Sequence, residues 1–260
     1  MTGALRAAAT GMEAQMAQIE NIANNLANVN TPGYKKSRAE FQDLLYETVR
    51  EPGAATAGDA RSPVGLQRGM GVAVVGTQRN FEMGPPQVTR RDLDFFIKGE
   101  GFFVVQLSSG EMAYRRDGSF YRGPTGRIET IDGNALQPEI RVPAGASRLH
   151  VSEDGTVSAV VSETERLQIG QIQLATFANN GGLKAIGKNL FLSTEGSGPP
   201  AVSTPSQIGV GGLLQGHLEG SNVEIVREMT DMIAAQRAFE MNSKVVQAVD
   251  HMLQNAAAVR

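Results

Sequence analysis

Few residues in this chain have the types and spacing that chemistry requires. The histidines His150, His217 and His251 are far apart, and no pair falls in an H-x-x-x-H or H-x-E spacing that would put two ligands on one face. Asp92 and Asp94 would share one face of a strand and form a carboxylate pair, but Arg90 and Arg91 beside them make a salt-bridged strand end the simpler reading. Two glycine-rich stretches, Gly69-Met70-Gly71 and Gly209-Val210-Gly211-Gly212, have Val74 and Leu214 where a dinucleotide loop needs its third glycine. They read as turns. No G-x-S-x-G elbow and no Gly-Lys-Ser/Thr phosphate loop is present, and with no cysteine there are no disulfides, thiolate metal sites or thiol nucleophiles. The expectation is a protein with no catalytic centre, no cofactor and no metal.

Composition points the same way. Across 260 residues, 27 acidic side chains against 24 basic ones give a formal net charge of -3, which disfavours nucleic acid as a partner. No apolar run approaches the roughly 20 residues of a membrane span, so membrane insertion is not expected. Met1 to Thr10 carries one Arg without the apolar run of a secretory signal. The cytoplasm is then the default location, unless an export route independent of a signal carries the chain.

The informative signal lies in the elements. From Leu5, the positions Ala8, Met12, Gln15, Ile19, Ile22, Leu26 and Val29 recur in steps of three and four, an apolar heptad stripe broken only by Gln15. Ile225, Glu228, Met232, Ala235, Phe239, Asn242, Val246, Val249, Leu253 and Ala256 form a second stripe, with Glu228 and Asn242 its polar members. Each stripe predicts a helix that needs a partner. The first stops at Asn30-Thr31-Pro32-Gly33, where proline and glycine favour a turn. Beside that stripe, Asn21, Asn24, Asn25 and Asn28 line one helical face. These amides either bond across a helix interface or form a solvated polar face.

Between Glu51 and Gly71, the Pro-, Gly- and Ala-rich composition predicts a loop or extended arm. From Gly71 to Gly198 come short apolar runs, Phe95-Phe96-Ile97, Phe102-Phe103-Val104-Val105 and Leu190-Phe191-Leu192, with Asp117-Gly118, Asp132-Gly133 and Asp154-Gly155 as hairpin signals. The expected fold class is α+β, in which N- and C-terminal helices form a coiled-coil hairpin around an inserted, mainly antiparallel β domain. Its boundaries are a terminal helical domain at 1–32 and 222–260, a connector with an extended arm at 33–70 and 205–221, and a β-rich outer domain at 71–204.

The run Asn24-Asn25-Leu26-Ala27-Asn28-Val29-Asn30-Thr31-Pro32-Gly33-Tyr34-Lys35 resembles the signature of the flagellar rod and hook axial proteins. Glu219-Gly220-Ser221-Asn222-Val223, Glu228-Met229 and Gln236 to Lys244 resemble the C-terminal half of that family. Arg116-Asp117-Gly118-Ser119-Phe120, Ile169 to Ile172 and Gly187 to Leu190 extend the likeness through the middle. Arg50-Glu51-Pro52-Gly53 and Gly65 to Gly69 are similar to a segment that distal rod members carry, with proximal rod and hook members the nearest alternatives.

The resemblance implies a subunit of a hollow helical homopolymer in the flagellar basal body, a shaft that transmits torque and lets exported subunits pass. It also implies export through the flagellar secretion apparatus to the periplasm, with proximal rod and hook subunits and the surrounding ring proteins as neighbours. The subunit-interface candidates are Leu5, Met12, Ile19, Ile22, Asn24, Asn25, Leu26, Asn28, Val29, Met232, Phe239, Val246, Val249 and Leu253. A soluble binding module is the rival from another class, and no pocket-forming motif in the sequence supports it.

Overall fold

A computed structural model describes residues 2–52, 64–146, 148–160 and 166–258. They divide into two compact units, one formed by 1–27, 37–78 and 224–260, the other by 28–36 and 79–223.

In the first unit, the Ala-rich segment Thr2–Ala27 folds as helix α1 and Ile225–Ala258 as helix α2. At 1.5 Å per residue, their 26 and 34 residues span about 39 Å and about 51 Å. Two contacts orient the pair. A Cβ added at Gly11 would lie 2.9 Å from Asn242 Nδ2, and Asn25 Nδ2 donates to Glu228 Oε2 at 3.2 Å, so early α1 faces late α2 and the helices run antiparallel. The unit also holds strands β1 (Ser37–Asp43), β2 (Tyr46–Arg50), β3 (Leu66–Gly69) and β4 (Val72–Arg79). β1 pairs with β4, and β2 pairs antiparallel with β3 in a ribbon whose every residue is exposed.

The stretch expected to be a loop or arm therefore has paired flanks. Tyr46, Thr48 and Val49, residues of β-favouring type, precede the Pro- and Gly-bearing part, and Leu66 to Gly69 return alongside them. The centre of the expected arm, residues 53–63, lies outside the described residues.

The second unit is a β structure. Its strands are β5 (Pro86–Val88), β6 (Phe95–Lys98), β7 (Phe102–Gln106), β8 (Met112–Arg115), β9 (Tyr121–Arg122), β10 (Ile128–Glu129), β11 (Ala135–Gln137) and β12 (Arg148–Val151). They continue with β13 (Thr156–Val160), β14 (Arg166–Gln171), β15 (Leu174–Thr176), β16 (Lys184–Gly187), β17 (Leu190–Leu192), β18 (Ala201–Ser203), β19 (Gly212–Gln215) and β20 (His217–Glu219). The main sheet runs β16-β17-β8-β7-β11-β10-β9, with β15 also pairing with β7 and β18, while β12-β13-β14 form a three-stranded meander. β19 pairs with β6 and β20 with β5. All of these pairings are antiparallel.

Phe95, Ile97, Phe103, Val105, Phe120 and Leu174 are among the side chains sealed in its main core. A second cluster packs Phe102, Tyr114, Phe177 and Phe191 with edge-on ring contacts.

The three Asp-Gly signals part company here. Asp132-Gly133 turns β10 into β11, and Asp154-Gly155 turns β12 into β13, each with its glycine near φ +80°. Asp117-Gly118 makes no hairpin, because β8 pairs with β7 and β17 whereas β9 pairs with β10. Gly118 is needed for space instead: a Cβ there would meet Phe95 O at 1.8 Å.

Candidate functional site

The helical stripe residues are largely the covered ones. Ile22 and Val249 are buried, and Leu5, Met12, Ile19, Leu26, Met232, Phe239 and Val246 are partly covered, whereas Leu253 stays exposed. Both polar members of the second stripe have a structural reason. Glu228 is buried and accepts from Asn25, and Asn242 stands opposite Gly11, the one α1 position in this stretch without a side chain to displace it.

The four asparagines have different surroundings. Asn25, only 2 % exposed, uses its whole amide: Nδ2 donates to Ser37 O (2.9 Å) and Glu228 Oε2, and Oδ1 accepts from the Ser37 amide (3.0 Å). Asn21 lies against the same strand, where Nδ2 can donate to Ser37 O (2.9 Å) while Oδ1 accepts from the Ala39 N–H (3.2 Å). Asn24 is exposed. Asn28 lies past the end of α1 with Val29, and its Oδ1 accepts from Thr31 Oγ1 at 3.2 Å. Part of the stripe thus bonds between helix and strand or across the helix pair, and Asn24 lies at the surface.

Much apolar surface is left over. On α2, Val226, Met229, Ile233, Met241, Val245 and Met252 are exposed away from the covered stripe, as is Met16 on α1. A helix with apolar side chains around most of its circumference is one that other elements cover. The β2–β3 ribbon adds Tyr46, Val49 and Leu66, and Leu45 beside it is 85 % exposed. An isolated two-stranded ribbon is marginal in water.

The second unit holds a charged centre that spacing alone does not reveal. Glu219, with no exposed surface, accepts from Lys35 Nζ (2.7 Å) and the Gly84 amide (2.8 Å) at Oε1 and from Arg116 Nε (2.6 Å) at Oε2. Lys35 Nζ also donates to Glu82 O (2.6 Å), and the Arg116 guanidinium donates to the carbonyls of Gly101, Ile97 and Gly99. Burial pulls the Lys35 ammonium below its ordinary pKa, against the opposing pull of Glu219. The Glu219 backbone takes part as well, accepting from the Gly33 amide at 2.7 Å.

Gly33 sits at φ +68°, and a Cβ there would meet Asp117 N at 2.5 Å, so the turn at Thr31-Pro32-Gly33 accepts only glycine. Next to it, Asn222 Oδ1 accepts from the Lys36 amide (2.8 Å) and Nδ2 donates to Asn80 O (2.9 Å).

His150, His217 and His251 lie on β12, β20 and α2, and no three acidic or histidine side chains among the described residues could hold a metal ion. Asp92 and Asp94 precede β6 and do not lie on a strand; Asp94 is buried with Arg91 Nη1 at 3.3 Å, while Asp92 is exposed. No helix among the described residues is long and apolar enough to cross a membrane.

Comparison with known proteins matches three parts of the chain to family descriptions: flagella basal body rod protein (residues 5–35), flagellar hook protein FlgE/F/G D1 domain (96–159) and flagellar basal body rod FlgEFG protein C-terminal (214–259). The chain is 46% identical over 259 residues to the flagellar basal-body rod protein FlgG of Caulobacter vibrioides, covering 99% of each chain. It is 38% identical to that of Bacillus subtilis, covering 98% of this chain and 97% of the relative. Similarity to the flagellar hook-basal body complex protein FlhP of the same bacterium is lower, at 28% over the full length of both.

Proposed function

The chain belongs to the family of flagellar basal-body rod proteins, and from that premise we propose that it works by polymerising with copies of itself into a hollow helical shaft. It is a structural subunit of the flagellar distal rod, part of the basal body, and not an enzyme.

The observation that carries the polymer reading is the apolar surface left on α2 after α1 has covered its share: Val226, Met229, Ile233, Met241, Val245 and Met252. In the polymer, these positions and the stripe residues from Leu5 to Leu253 pack as a coiled coil shared between copies. A heterologous contact that does not close on itself yields a helical filament. The terminal segments 1–32 and 222–260 then form the inner wall, 33–70 and 205–221 connect, and 71–204 lies outside. Proximal rod and hook subunits adjoin the shaft ends, ring proteins surround it in the periplasm, and the flagellar export apparatus delivers each chain.

The exposed β2–β3 ribbon fits a brace lying against a neighbouring copy, which would resist the sliding that lets a helical tube bend. Electron microscopy of the purified chain at high concentration tests the reading. Straight hollow filaments are the expected result, and a chain that stays monomeric at every concentration, alone and with its rod neighbours, sinks it.

A further inference from the structure

Within the second unit, a cavity of about 180 Å³ opens between the loop after α1 and the β16–β17 turn, bordered by Asn28, Tyr34, Arg79, Lys188, Asn189 and Phe191. We infer that this cavity is a socket for the carboxylate of an Asp or Glu side chain from a second copy of the chain, gripped by Arg79. The inference rests on the polymer reading above.

Arg79 carries the argument. Its guanidinium lies over the Phe191 ring, 5.6 Å from the centroid, and has no hydrogen-bond or ion-pair partner among the described residues. Stacking on an aromatic face fixes the plane of the fork while leaving its N–H groups free, the geometry that takes a carboxylate in two parallel hydrogen bonds. The other cations at the cavity are committed: Lys188 Nζ pairs with Asp132 at 2.8 Å and Lys35 Nζ with Glu219.

The walls are preformed. Lys188 and Asn189 hold a tight turn at φ 54° and 58°, and Asn189 Nδ2 donates to Pro32 O at 3.0 Å, tying that turn to the opposite loop. Little ordering cost remains for an incoming group. Size selects the occupant. Small-molecule sites usually enclose about 300–1,000 Å³, whereas this volume suits one side chain. The polymer reading supplies the occupant, since neighbouring copies present their 27 acidic side chains at high local concentration.

The test uses the full chain. Arg79→Ala should raise the critical concentration for polymerisation about tenfold or more with the melting of the monomer unchanged, and Arg79→Lys should lie between that variant and the parent. In polymers of Arg79→Lys, a carbodiimide should join the introduced amine to a carboxyl of another copy; the amide forms as the carbodiimide takes up the released water to become a urea. Mixing isotope-labelled and unlabelled copies tells joins between chains from joins within one. An inter-chain join to an Asp or Glu supports the socket. An unaltered critical concentration for Arg79→Ala, or joins confined to one chain, overturns the socket and leaves the polymer reading standing. A parent chain that never polymerises overturns both.

Discussion

The two units bury very different things. In the β unit, phenylalanine, isoleucine and leucine side chains are sealed to zero exposure, and the buried Lys35 and Arg116 both bond to Glu219. The buried apolar residues of the helical unit are mainly small, Ala8, Ala14, Ala39 and Ala235 with Ile22 and Val249, while its larger apolar side chains face outward. Fully burying a large apolar side chain contributes about 1.5–3 kcal/mol, and an alanine far less. The β unit is therefore built to stand alone and the helical unit to be completed by company.

The largest effect that would break this comparison is loss of assembly without loss of the β fold. Ile22→Asp or Phe239→Asp places a charge in the covered helical stripe and should abolish filaments, as judged by sedimentation and electron microscopy, while the β unit melts as before. Normal filaments from both variants would mean that the stripe is not where copies meet. Next in size, Glu219→Ala leaves Lys35 and Arg116 buried without their counter-charge and should cost the β unit about 3–5 kcal/mol in urea unfolding. A loss below about 1 kcal/mol would place the cluster's weight elsewhere.

Third, limited proteolysis of dilute monomer should trim α1 and α2 first, since a helix pair with so little buried area opens locally far more often than the β core. First cuts inside β6 to β11 would invert the comparison. Asparagine substitutions sharpen it within the helical unit. Asn25→Ala removes the side-chain hydrogen bonds to Ser37 and Glu228 and should cost about 1–3 kcal/mol of helical-unit stability. Asn24→Ala, at an exposed position, tests the surface role: a raised critical concentration assigns Asn24 to the contact between copies, and a neutral or lowered one assigns it to solvent.

The smallest effect is in the β12–β13 turn. Hydrogen bonds from the Thr156 hydroxyl and amide hold the Asp154 carboxyl below the usual carboxylate range. A depressed folded-state pKa means stability that is present above the unfolded value near 3.9 and lost as pH falls through the folded one. Asp154→Asn should slightly flatten the acid limb of the melting curve and leave neutral pH almost untouched.

How far the sequence could be read follows from how local each signal is. Both helices were legible because a heptad stripe declares its covered face within a few turns, and Asp132-Gly133 and Asp154-Gly155 because a hairpin turn involves only its own strands. Asp117-Gly118 misled for the converse reason: the constraint on Gly118 comes from Phe95, a neighbour in space only. The Lys35–Arg116–Glu219 cluster was illegible as a cluster, although each member stands inside one of the motifs that carry the family resemblance. Its partners lie 184 and 103 positions apart, and no periodicity spans that distance. The paired ribbon at β2 and β3 was hidden by the proline- and glycine-rich stretch between its strands.

The hydrogen bond between Asn25 and Glu228 closes a loop of 203 residues. For a free chain, the entropic cost of bringing such distant residues together grows with the logarithm of loop length and comes to about 5 kcal/mol, beyond the reach of one hydrogen bond. The bond from the Lys36 amide to Asn222 Oδ1 changes the arithmetic, because it belongs to the β unit and already brings together the two strands of chain that lead to the helices. Once that unit has folded, the span left to close is about eleven residues on one side and six on the other. The order of events is thereby set by topology: β structure first, helix pair second, and any slowing of β folding delays the moment at which the two ends of the chain can find each other.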